Sequence, residues 1–129
     1  MAGMKKLINR TGEKLEVTLL VRQGDEPGSS SGSVVVRLAA GPDEKTGVDR
    51  SEQVVHYGTD TDIYLDGLEV ALEADGATVN QRRIVVKRGG GLDNALNTND
   101  CIEFLFDGTE ILISATNSGD KPFSYAAED

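Results

Sequence analysis

Asp60-Thr61-Asp62-Ile63-Tyr64-Leu65-Asp66-Gly67-Leu68-Glu69-Val70-Ala71-Leu72-Glu73-Ala74-Asp75-Gly76 carries the clearest structural pattern of the chain. Leu68, Val70 and Leu72 alternate with Glu69, Ala71 and Glu73. A period of two belongs to a strand with one dry face and one wet face. Asp75-Gly76 then supplies a tight turn, because Gly accepts positive φ and Asp tolerates it. The chain returns over 78–87 with Ile84-Val85-Val86 as its apolar part, so the whole segment reads as a hairpin. Arg82 and Arg83 are placed across from Glu69 and Glu73, where opposite charges on paired strands stabilise one another.

The same pattern extends outward. Leu15, Val17, Leu19 and Val21 alternate with Glu16, Thr18, Leu20 and Arg22, and Val34, Val36 and Leu38 alternate with Val35 and Arg37. Segments 4–9 and 52–57 read as shorter strands. Segments 101–106 and 109–116 read as a second hairpin around Asp107-Gly108, a two-residue turn signal. Residues 92–97 fit one helical turn with Asp93 as its cap. Turn signals every ten residues or so indicate an all-β chain. The expected architecture is an antiparallel β-sandwich of about eight strands with Greek-key-like connections, a small β-barrel being the second choice. Connections at 23–32, 39–51 and 89–100 are expected to cross between the sheets. The domain is drawn as 1–116, with 117–129 as an acidic tail lacking periodicity.

The totals bound the chemistry. A chain of 129 residues fits one domain, long enough to bury roughly two-thirds of its unfolded surface without a disulfide or structural metal. One cysteine precludes an internal disulfide and fits a reducing compartment. The formal charge of -9 has the wrong sign for a nucleic-acid partner, which needs a basic stripe. No apolar run approaches the roughly 20 residues of a membrane helix, and Met1–Lys6 leads into no signal-peptide core. A cytoplasmic location is therefore expected, unless a leader has been removed. Asn9-Arg10-Thr11 matches a glycosylation sequon without a secretory context to give it meaning.

Three groups of residues could carry chemistry. Read from Asp62, a twelve-residue frame places Asp66, Gly67 and Glu73 at calcium-loop positions. Tyr64 breaks the frame, and a strand would hold Asp66 and Glu73 about 20 Å apart. A looser calcium site using Asp60, Asp62 and Asp66 survives that objection, since calcium accepts six to eight oxygens in flexible geometry. The second group is Asp93, Asn94, Asn97, Asn99 and Asp100, behind Gly89-Gly90-Gly91, where oxygens could hold a cation or sugar hydroxyls. The third is His56, the sole histidine, which any Ser-His-Asp triad would have to use and which could form a dyad with Cys101. No nucleophile elbow occurs, and the Lys45-Thr46 pair lacks the order of a phosphate loop. The expectation is a non-enzymatic ligand-binding module, calcium-assisted or carbohydrate-binding. The alternative is a self-assembling protein forming homo-oligomers through strand edges.

Overall fold

A computed structural model describes residues 3–24, 27–28, 30–40, 51–59, 61–74 and 76–116. Eight strands and one short helix appear in the order β1 (Gly3–Asn9), β2 (Leu15–Arg22), β3 (Ser30–Leu38), β4 (Ser51–Tyr57), β5 (Leu65–Ala74), β6 (Ala77–Ile84), α1 (Gly91–Asn97), β7 (Cys101–Phe106) and β8 (Ile111–Thr116). They build two four-stranded sheets, β4-β1-β7-β8 and β3-β2-β5-β6, packed as a sandwich. The expected all-β sandwich is therefore the observed fold.

The alternation in the sequence explains the core. Leu15, Val17 and Leu19 from β2, with Leu68, Val70 and Leu72 from β5, turn inward. They meet Leu7, Ile102, Phe104 and Ile111 from the other sheet. Each such side chain contributes about 1.5–3 kcal/mol on full burial. The open sides are closed by amide side chains. Gln81 on β6 donates to the Ile111 carbonyl at 2.6 Å and accepts from its N–H at 2.9 Å, joining the two sheets. Asn9 donates to the Glu13 and Ala39 carbonyls, both at 2.8 Å. The nitrogen that a glycan would need is thus buried and occupied.

Four local expectations change. The 23–32 segment does not cross between sheets, because β2 and β3 pair as a hairpin within one sheet; the connections that do cross are β1–β2, β3–β4, β4–β5 and β6–β7. β1 and β7 pair in parallel, Lys6 beside Cys101, which a reading of hairpins alone could not find. β6 ends at Ile84, and Val86 stands exposed beyond it. The β7–β8 connection spans four residues rather than two, because the Asp107 carboxylate accepts from the N–H groups of Thr109 and Glu110, both at 2.8 Å. The tail 117–129 lies outside the described residues, as does Asp75 in the β5–β6 turn.

Candidate functional site

Asp66 near the start of β5 and Asp93 in α1 lie at the same end of the sandwich, and one buried cation joins them. β2 and β5 run in register until Leu20 meets Gly67; the next pair is Val21 with Leu65, leaving Asp66 as the extra residue of a bulge. Strict alternation would send Arg22 outward, yet beside the bulge both Val21 and Arg22 are buried. Arg22, 2% exposed, reaches Asp66 at 3.2 Å, Asp93 at 2.8 Å and the Leu65 carbonyl at 3.0 Å. Its guanidinium also lies 5.9 Å from the centre of the Tyr64 ring. The bulge needs a glycine: a Cβ on Gly67 would stand 2.5 Å from the Arg83 carbonyl oxygen.

Further hydrogen bonds tie Asp62, Asp66, Asp93 and Asn97 to their surroundings. Asp66 also accepts from the Gly28 N–H at 3.1 Å, which ties down the β2–β3 connection. Asp62 accepts from the Gly24 N–H at 2.9 Å and the Ser31 hydroxyl at 2.7 Å, and these bonds hold its carboxyl below the usual value. Asp93 accepts from Gly89 N–H, Arg22 and Asn97, all at 2.8 Å. Burial pushes its carboxyl up, but those bonds outweigh burial and leave it below the ordinary carboxylate range. Asp93 is thus a bridge rather than the cap of α1, whose cap position is Gly90 without a side-chain bond. Asn97 pairs with both backbone groups of Leu65, at 2.7 and 2.9 Å.

The sequence-derived ligand candidates therefore divide by direction. Asp93 and Asn97 point inward. Asn94 donates to the Gly89 carbonyl at 3.2 Å, and Asn99 donates to the Ala95 carbonyl at 3.2 Å. The backbone carbonyl of Asp100 accepts from the Lys6 N–H at 2.8 Å. Of the calcium candidates, Asp62 and Asp66 hold separate backbone groups, and Asp60 lies outside the described residues. Among the described residues, no three His, Cys, Asp or Glu side chains converge as a metal site. His56 is exposed on β4, whereas Cys101 is buried, and burial pushes its thiol up, away from the reactive thiolate.

A different surface has its polar groups turned to solvent. On the outward side of β3-β2-β5-β6, register builds two rows: Arg37–Glu16–Ala71–Asn80 and Val35–Thr18–Glu69–Arg82. Small side chains, Thr18 and Ala71, occupy the two central strands, while longer ones stand beside them. The result is a trough of about 310 Å³ lined by Glu16, Thr18, Glu69, Ala71, Asn80 and Arg82. A second hollow of about 350 Å³ shares Glu16 and Ala71 and continues it toward Lys14, Arg37 and Glu73. Two exposed ion pairs flank the floor, Glu16–Arg37 and Glu69–Arg82, each at 3.1 Å. The charges balance: Glu16, Glu69 and Glu73 against Lys14, Arg37 and Arg82. Sequence reading found the Glu69–Arg82 pair but not the trough, because the trough exists only once β2 and β5 are set side by side. The outward positions of alternating strands were the available signal.

Compared with protein-family models, curated proteins and solved structures, the chain matches none of them. No helix among the described residues is long and apolar enough to cross a membrane.

Proposed function

We propose that the protein is a non-enzymatic binding module whose ligand is an uncharged, extended polyhydroxyl chain, an oligosaccharide, lying along the trough. The observation that supports this reading is the pair of exposed ion pairs above the small floor of Thr18 and Ala71. Each pair offers acceptors and donors side by side, the arrangement that two neighbouring hydroxyls require. Balanced charge favours a neutral ligand over an anionic or cationic one. The two hollows, each within the roughly 300–1,000 Å³ of ligand sites, adjoin at Glu16 and Ala71 and together suit an elongated molecule. Among the described residues no aromatic side chain lines either hollow, so binding rests on hydrogen bonds and is weak, with a Kd of about 0.1–1 mM.

Titration calorimetry with soluble cello-, xylo- and malto-oligosaccharides tests the reading. Binding by one series, weakened about tenfold by Arg82→Ala and abolished by Ala71→Arg, is the expected result, tenfold being 1.4 kcal/mol. Binding that survives Ala71→Arg would remove the trough from consideration. A calcium requirement would return the acidic segments to the ligand site. The second reading, self-association, is favoured by an observation on the opposite sheet rather than on a strand edge.

A further inference from the structure

The outward side of β4-β1-β7-β8 carries an unusual mixture. Of the seven exposed large apolar side chains among the described residues, four lie there: Met4 (52% exposed), Val54 (52%), Leu105 (39%) and Leu112 (43%). The other three, Val35, Ile63 and Val86, are scattered over the opposite sheet and the connections. Between the apolar residues lie two ion pairs, Lys6–Glu52 at 3.1 Å and Arg10–Glu103. Two positive and two negative groups leave this patch neutral on a chain that carries -9.

The register fixes where each group sits. Across the sheet, Met4 lies beside His56, Lys6 between Val54 and Cys101, Ile8 between Glu52 and Glu103, and Leu105 beside Leu112. Arg10 follows at the next outward position of the β1 chain. A twofold axis lying diagonally in the plane of this face matches the charged positions, while Met4 falls opposite Ser114 and Leu112 opposite His56. It sets Lys6 opposite the copy's Glu103, Glu52 opposite the copy's Arg10, and Val54 opposite the copy's Leu105. Ile8 and Cys101 lie close to the axis, and both are already buried within one copy (4% and 1% exposed). Twofold contacts require this kind of self-complementarity, and the diagonal axis corresponds to face-to-face sheets crossing near a right angle.

We infer that this face is a self-association surface whose occupant is a second copy of the chain, docked so that the two ion pairs exchange partners. Charge complementarity selects that occupant. A strongly basic or acidic partner gains nothing from a neutral patch, whereas the copy finds an opposite charge at every charged position. The sheet offers roughly 450 Å² in plan, from four strands about 4.8 Å apart and about seven residues long. That is below the roughly 800 Å² per partner of a standard interface, so the dimer is weak, with a Kd between about 10 µM and 1 mM.

Sedimentation velocity of the full chain over about 10 µM to 1 mM tests the inference, with thermal melts confirming that each variant is folded. The wild-type average mass should rise toward that of a dimer across this range. Lys6→Glu and Val54→Glu should each raise the Kd at least about tenfold. Lys6→Glu combined with Glu103→Lys restores the opposed pair and should recover the dimer. Val35→Glu, on the other sheet, should leave association unchanged. A wild-type monomer throughout, no recovery in the charge swap, or equal disruption by Val35→Glu would each overturn the proposal.

Discussion

Arg22 and Arg82 lie on strands of one sheet, each beside carboxylates, and their situations are opposite. Arg22 is buried between Asp66 and Asp93, which also accept from the Gly28 N–H and from the Gly89 N–H and Asn97. Arg82 pairs with Glu69 on an open face beside small neighbours. The first arrangement uses charge to join three parts of the chain: the β2–β3 connection, the start of β5, and α1. The second leaves hydrogen-bonding capacity pointing outward. Acidic residues crowded in a sequence are therefore no guide to a binding site until the direction of each side chain is known.

Loss of the buried cation should cost the most. Arg22→Met leaves Asp66 and Asp93 buried without their cation and should destabilise the protein by about 3–5 kcal/mol. A differential scanning calorimeter should register a fall of roughly 10–20 °C. Arg82→Met, on the exposed side, should change stability by less than about 1 kcal/mol. Equal effects for the two arginines would erase the distinction.

Asn97→Ala gives an intermediate case. It removes the partner of the Leu65 N–H while Arg22 still holds the Leu65 carbonyl and both ion pairs stay, and should lower stability by about 1–3 kcal/mol in urea titrations, with an unchanged m-value. The pH dependence sharpens the same point. Asp93 has its carboxyl depressed on folding, so its bonds stabilise the protein above the unfolded Asp value of about 3.9. That contribution is lost as pH falls through the lower folded value. Wild-type stability should therefore decline below about pH 4, and Asp93→Asn should flatten that decline. The smallest expected effect is that of calcium. With Asp62 and Asp66 occupied by separate backbone groups, millimolar calcium should move the melting temperature by less than about 1 °C relative to EDTA, whereas a native-state ligand at one hundred times its Kd would add about 2.7 kcal/mol.

Much of the fold was legible in the sequence because its cause is local. Alternation in 15–21 and 68–73 places Leu19 and Leu68 inside and Glu16 and Glu69 outside without reference to any partner. The β5–β6 hairpin followed from the same pattern and its turn. What remained hidden depends on residues distant in the chain. The parallel pairing of β1 with β7 joins segments about ninety residues apart, and no periodicity encodes it. Arg22 is an outward position by counting, and only the bulge opposite Asp66 brings it inside. Asn97 looked like a loop oxygen because its partner, Leu65, is thirty-two residues away. The trough needs Thr18 and Ala71 on neighbouring strands, a fact of register rather than of composition.

The most direct test of the account is a ¹H–¹⁵N chemical-shift map recorded while the best-binding soluble oligosaccharide is added. Shifts concentrated on Thr18, Glu69, Ala71, Asn80 and Arg82, with Asp93, Asn94, Asn97 and Asn99 unmoved, are the predicted result. Shifts centred on the 89–100 segment, or no shift at saturating sugar, would contradict it.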